Sequence, residues 1–345
     1  MKTMKKYLAL LLAVVMALTL FACGDTNDTP VVDGEEQGDV LVLRYGNAAV
    51  ASAASSENAQ LFCKNVEEIS GGKIKVEYIG DSALGDQTQH YAMIKEGSLD
   101  FMQSSFDSFV SLENGSDFAV VLAPYVFDDQ DHLGKFVQSD LCKEMLAGVE
   151  EANNFHVVGI CTYAPPRCLN TVKPISSVDE CRGLRIRVPN STAMLAIWQA
   201  WGAEPQIMGG SELYSAMENG LIDAQDNDLK NTFGNSFQEV APYYTETEYI
   251  QQCYLMFCSA STWDKLTDEQ KGWIEQANAK TCEEYTKTFF DGLETAREGF
   301  IAAGGTIVDC DIDSFKEAGH KFCTEQDGVL WSAGLYQKIR DLKNS

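Results

Sequence analysis

The chain has only seven arginines, and four of them, Arg167, Arg182, Arg185 and Arg187, crowd between positions 167 and 187. A solvated basic face would mix in more lysine and spread wider, so the cluster points to recognition of an anion. A guanidinium presents a planar fork of donors that can grip a carboxylate through two parallel N–H···O bonds, fixing orientation as well as affinity. The remainder of the chain is strongly acidic, with a formal net charge of −25 at pH 7. Such a body repels nucleic acid and anionic lipid surfaces. Any anionic ligand must therefore be held by a local cationic feature.

Polar residues at strand ends supply the rest of a possible site. They are Asn47 after "LVLRYG", Ser104 and Ser105 after "DFMQ", Arg187 in "LRIRVP", and Gln225 and Asn227 in "DAQDND". Ligands of open α/β sheets settle in the crevice beyond the carboxyl ends of the strands. One fixed cation among amides and hydroxyls suits a small carboxylate bearing hydroxyl, keto or amide groups. In "GLRIRVPN" Leu184, Ile186 and Val188 alternate onto one face, with Arg185 and Arg187 on the other. Arg182 and Arg185 are expected to pair with surface acids.

Catalytic signatures are missing. "MGGSELY" lacks the second glycine of a nucleophile elbow after Ser211, and neither a phosphate-cradling G-x-x-x-x-G-K-[ST] nor a G-x-G-x-x-G occurs. The four histidines, His90, His132, His156 and His320, are widely spaced, and no C-x-x-C is present, so zinc-ligand spacing is absent. We expect no enzyme, no cofactor and no metal. An exported enzyme acting on a carboxylated substrate is the rival, and His90 is its nearest candidate for a general acid or base.

The elements that must position these groups follow from periodicity. "LVLRYGN" reads as a first strand. Helix one spans "SSENAQLFCKNVEEISGG", capped by Ser55 or Ser56, with Ala59, Phe62, Val66 and Ile69 as the buried stripe and Gly71 and Gly72 as the stop. "KIKVEYI" follows as a strand. A β-α-β opening implies parallel strands and an α/β fold. One short grammar occurs twice, in "MIKEGSLDFMQ" and "AMENGLIDAQD", matching Gly97 with Gly220 and Asp100 with Asp223. Two copies of an α-β unit suggest two similar lobes, and the length of the chain agrees. Thr267 and Gln270 form a capping box for a helix that runs to Gly304 and Gly305, long enough to bend or to bridge both lobes. Trp198 and Trp201 read as packed helix residues.

The N-terminus reads as an export leader. Lys2, Lys5 and Lys6 precede an apolar run ending Leu20-Phe21-Ala22-Cys23. Removing those three lysines takes the charge to about −28. A Cys directly after Ala22 resembles the lipobox of bacterial lipoproteins, which predicts a signal peptide over 1–22 and lipidation of Cys23. Residues 23–40 then form a flexible acidic linker. Beyond Cys23 no apolar run reaches the ~18 residues needed to cross a bilayer. Ten further cysteines look unpaired.

Taken in order, "GDSALGD", "EGSLDF", "LAPYVFDDQDH", "KPISSVDECRGLRIRVPN", "GAEPQIMGGSELYSAMENGLIDAQDND" and "STWDKLTDEQ" resemble the DctP-type extracytoplasmic solute receptors of tripartite ATP-independent periplasmic (TRAP) transporters. The resemblance runs from about Leu41 to the last helix. It implies a two-lobed periplasmic-binding-protein (Venus-flytrap) fold with a long helix spanning both lobes. Lobe I is expected over 41–164 plus 253–292 and lobe II over 165–252 plus 293–345. It implies capture of a small organic acid anion and delivery to the small and large membrane subunits of an ion-gradient-driven permease. The receptor is expected to act as a monomer anchored through Cys23 on the periplasmic or outer face. Service to another importer or to a sensor is the alternative within the receptor class.

By the same resemblance Arg187 binds the ligand carboxylate, Arg167 in "YAPPRCLN" is the second arginine, and Asn227 is the family's amide. Ala224 and Asp226 replace the common Gly and Glu around Gln225. Gly210 stands where sialic-acid-binding members carry a Phe, which opens space for a bulkier acid, and Tyr249 stands where many members have His. The expected ligand-binding set is thus Arg187, Arg167, Asn227, Asn47, Ser105, Gln225, Gly210 and Tyr249.

Overall fold

The computed structural model describes residues 40–49, 51 and 53–344. The expected leader, Cys23 and the linker before Val40 lie outside these residues. Strand β1 (Leu41–Gly46) buries Leu43 and Tyr45 and exposes Val42, as alternation dictates. Helix α1 (Ala54–Ile69) buries Ala59, Phe62 and Val66 as one stripe. It stops where Gly71 and Gly72 take φ of +62° and +79°. Its N-cap is Ala53, without a side-chain bond, so Ser55 and Ser56 fall inside the first turn instead of capping it. Strand β2 (Ile74–Ile79) returns parallel to β1.

The chain continues through α2 (Gln87–Glu96), β3 (Phe101–Ser105), α3 (Phe106–Phe109), α4 (Gln130–Gln138), α5 (Asp140–Asn153) and β4 (Phe155–Thr171). Strand β5 (Arg185–Val188), α6 (Thr192–Ala200), β6 (Glu204–Ile207), α7 (Gly210–Glu218), β7 (Ala224–Asn227) and α8 (Leu229–Gly234) follow. The long strand β8 (Tyr243–Ser259) leads into α9 (Ala260–Trp263), α10 (Asp268–Ala302), β9 (Thr306–Val308), α11 (Ile312–Gln326) and α12 (Leu335–Asp341).

One mixed sheet organises these elements, in the order β2-β1-β3-β8-β4-β7-β5-β6, with β9 added beside β8. Its centre is the antiparallel pair β4 and β8, each 17 residues long. Parallel strands β2, β1 and β3 flank β8, and parallel strands β7, β5 and β6 flank β4. The result is a two-lobed α/β architecture in which the central ribbon carries both parallel halves. The 35-residue α10 opens with the Thr267–Gln270 capping box and packs on α1 in one half and on α8 in the other.

The repeated grammar corresponds to repeated geometry. Gly97 and Gly220 both turn the chain out of a helix in the left-handed region, at φ of +76° and +68°. Asp100 accepts the Arg44 backbone N–H at 2.7 Å, and Asp223 accepts that of Arg185 at 3.3 Å. Each arginine also donates to a carbonyl in the helix-to-strand turn, Arg44 to Ser98 at 3.0 Å and Arg185 to Gly220 at 2.7 Å. In both units the acid locks the incoming strand against its parallel neighbour.

All ten cysteines among the described residues are free thiols, and eight are buried, so they serve as small core side chains. Burial pushes the Cys63 thiol up to about 12, which keeps it protonated. Among the described residues no helix is long and apolar enough to cross a membrane.

Candidate functional site

The strand ends converge. The carboxyl ends of β1 and β3 on one side, and of β5 and β7 on the other, face a solvent-open cleft of about 920 Å³. Asn47, Ser105, Arg167, Arg187 and Asn227 all line it, together with Gln87, His90, Gln103, Ser104, Asp107, Asn231 and Tyr254. Five of the eight expected residues therefore share one space.

Arg187 reaches the cleft from the end of β5, where Ile186 and Val188 anchor the strand by burial on its other face. Its Nε donates to the Met208 carbonyl at 2.8 Å, which fixes the guanidinium plane. No carboxylate pairs with it among the described residues. Burial holds the Arg187 guanidinium below its ordinary range, the positive charge of Arg167 adds to this, and Asp226 and Asp107 offset it only in part. The group is thus a largely buried cation with no counter-charge of its own among the described residues.

Arg167 is different. It sits where the β4–β8 register slips on both sides of it, just after Pro165 and Pro166. A bulge of this kind re-aims a side chain, and proline is tolerated there because the ladder is already broken. Arg167 Nε pairs with Asp226 Oδ2 at 2.5 Å, Nη2 donates to the Asp226 carbonyl at 2.7 Å, and Nη1 donates to Gln252 Oε1 at 3.1 Å. Burial alone would push this guanidinium down, but the adjoining Asp226 holds it well above its ordinary value. Arg182 and Arg185 pair outward, with Asp179 at 3.5 Å and with Asp223 at 2.5 Å. Of the four clustered arginines only Arg187 remains without a carboxylate.

The amides are set by their own backbone. Asn47 Oδ1 accepts the Ala49 N–H at 2.9 Å, and Asn227 Oδ1 accepts the Asp228 N–H at 3.0 Å. Ser105 Oγ donates to Asp107 Oδ1. Gln87 donates to Ser104, which bonds Ser108 at 2.8 Å.

Three expected residues stand outside the lining. Gln225 is fully buried and donates to Thr232 Oγ1 at 3.2 Å and to Asn170 Oδ1 at 3.4 Å, because α8 folds over it directly after β7. Tyr249 is also fully buried; its hydroxyl donates to Asp226 Oδ2 at 2.5 Å and accepts from Trp198 Nε1 at 3.2 Å. It braces the carboxylate that braces Arg167. Gly210 lies just behind Arg187: a Cβ there would sit 3.9 Å from Nη2. Trp198 and Trp201 pack edge-to-face at 5.0 Å and are buried, as their helical spacing predicts.

Sequence reasoning missed Asp107, Gln87 and Gln103, and considered His90 only for an enzyme. Asp107 lies two residues beyond the end of β3, Gln87 opens α2 and Gln103 sits inside β3, so attention to strand ends passed over all three. Among the described residues no group of three or more His, Cys, Asp or Glu is placed to hold a metal ion.

Residues 45–326 match the model of the family described as DctP, bacterial extracellular solute-binding protein, family 7. A solute-binding protein of Roseobacter denitrificans is 27% identical over 307 residues, covering 88% of this chain and 90% of its own. The sialic acid-binding periplasmic protein SiaP of Vibrio cholerae is 27% identical over 288 residues, or 84% and 89% of the two chains. In fold the chain resembles a TRAP periplasmic solute-binding protein of a Sulfitobacter species, solved with bound β-D-galacturonate. The TM-score is 0.79 at 22% identity, covering 88% of this chain and 100% of that one.

Proposed function

The chain belongs to the DctP family of bacterial extracellular solute-binding proteins, the receptors of TRAP transporters, and on that premise we propose that it captures a small organic acid anion with the ligand carboxylate on Arg187. The observation that carries this reading is the guanidinium of Arg187, largely buried, oriented by Met208 and without a carboxylate partner among the described residues, in the lining of a cleft formed by both sheet halves. A ligand carboxylate would supply the missing counter-charge through a bidentate contact. Arg167, neutralised by Asp226, orients the second face of that carboxylate, and Asn47, Ser105 and Asn227 address its substituents. Gln225, Gly210 and Tyr249 act by supporting these groups.

We propose the division into 41–164 plus 253–292 and 165–252 plus 293–345; its first crossing falls beside the bulges around Arg167 in β4, its second opposite that in β8, where Gln252 pairs with Ala164, and its third within α10. Closure there would follow from ligand contacts made by both walls. The closed receptor would deliver the acid unchanged to the membrane subunits of its permease. A thermal-shift panel of carboxylates should find a ligand that adds about 2.7 kcal/mol at ~100 times its dissociation constant and that is recovered intact after prolonged incubation. Arg187→Lys keeps the charge but loses the fork. It should weaken that ligand at least tenfold by calorimetry with the fold intact, whereas unchanged affinity would remove Arg187 from the site.

We also propose that Cys23 carries the lipid that keeps the monomeric receptor at the outer face of the membrane. Cys23→Ser should move the protein from the membrane to the soluble fraction on cell fractionation. A wild-type protein already soluble would refute the anchor.

A further inference from the structure

Asp107 is a second unneutralised charge in the same cleft, of opposite sign. It lines the space beside Ser105, and no Lys, Arg or His forms an ion pair with it among the described residues. Its Oδ1 accepts from Ser105 Oγ, and both Arg187 and Arg167 sense its charge. Asp107 follows β3 whereas Arg187 lies near the end of β5, so the two charges stand on opposite halves of the sheet. The cleft is therefore polar in the literal sense, cationic on one wall and anionic on the other.

The local turn does not require an acid there. Asp107 is the second residue of the four-residue α3, and the same place after β7 in the twin unit, the second residue of α8, is Lys230. A carboxylate only accepts hydrogen bonds, so whatever meets Asp107 must donate. A second ligand carboxylate cannot donate, and it would bring like charge into a partly desolvated space. The neighbouring groups narrow the donor further. Asn47, Gln103 and Ser104 are neutral, each with donor and acceptor atoms, and His90 Nε2 is buried beside the cleft without a partner among the described residues. Hydroxyl groups both donate and accept and so match this set, whereas an ammonium group only donates.

We propose that Asp107 is a specificity-determining residue, accepting hydroxyl groups of a polyhydroxylated monocarboxylate and excluding acids that carry a second carboxylate. The assignment rests on Arg187 holding the first carboxylate. Calorimetry should compare three ligand sets on the full protein: aldonates and uronates, C4 to C6 dicarboxylates, and zwitterionic amino acids. The variants are Asp107→Asn, Asp107→Glu and Arg187→Lys. The wild type should bind a member of the first set at least a hundredfold tighter than any dicarboxylate. Asp107→Asn should narrow that ratio at least tenfold, with the free protein melting as the wild type does, and Asp107→Glu should keep the exclusion. Arg187→Lys should weaken all acids together. If Asp107→Asn leaves the ratio unchanged while Arg187→Lys abolishes binding, Asp107 is not the selector and the Arg187 reading stands. Preference of the wild type for dicarboxylates or for amino acids overturns the proposed class. Binding of no acid in any set refutes both readings.

Discussion

Arg167 and Arg187 share a cleft but differ in what they need. Arg167 has Asp226, which is fully buried; the Tyr249 hydroxyl donates to that carboxylate and is itself held by Trp198 Nε1. Removing one partner of a buried pair leaves the other charge uncompensated, typically at a cost of about 3–5 kcal/mol. Arg167 keeps a 12% exposed edge toward the cleft, so water can relieve part of that cost. We therefore expect Asp226→Asn to lower stability by about 3 kcal/mol, read as the midpoint of urea unfolding. An unchanged midpoint would mean that the Arg167 charge is satisfied without Asp226. Arg187, by contrast, has a carbonyl from Met208 but no carboxylate among the described residues, a cost to the free protein that a ligand anion can offset.

At the scale of elements, periodic signals were legible and covering contacts were not. The stripe Ala59, Phe62 and Val66, the glycine stop after α1 and the Thr267–Gln270 box all stand where the sequence places them. The twin helix-to-strand units could be read from Gly97 and Gly220 because left-handed turns leave a residue-type mark. Period two correctly put Arg185 and Arg187 on one face of β5, yet only spatial neighbours decide which finds an acid: Asp223 takes Arg185. Gln225 shows the limit from the other side. It lies in the same strand as Asn227, two residues before the end, but α8 brings Thr232 over it, and nothing in "DAQDND" marks that. Asp107 escaped because a four-residue helical turn carries it past the strand end and back over the cleft. A search that included the first turn after each strand would have found it.

At the scale of the whole molecule, the end of the chain is fastened to its middle. Arg340 and Lys343 both pair with Asp128, and Arg340 also donates to the carbonyls of Tyr125 at 3.1 Å and Val126 at 3.2 Å. His132 bonds the Ile339 carbonyl at 2.9 Å, and Lys135 donates to that of Lys343 at 2.8 Å. Partial burial alone would raise the Asp128 carboxyl, but Lys343 and Arg340 outweigh it and bring it down from 3.8 to about 2. A carboxyl depressed on folding adds stability above its unfolded value and loses it as the pH falls through the folded one. The contribution of Asp128 should accordingly be complete at neutral pH and fade between about 4 and 2. With its side chain 28% exposed, solvent screening limits that contribution to about 1–2 kcal/mol. Asp128→Asn should then melt about 2 °C lower at pH 7, and the two melting curves should converge as the pH approaches 2. A gap that persists unchanged in acid would show that the loss comes from packing in the C-terminal fastening and not from the Asp128 charge.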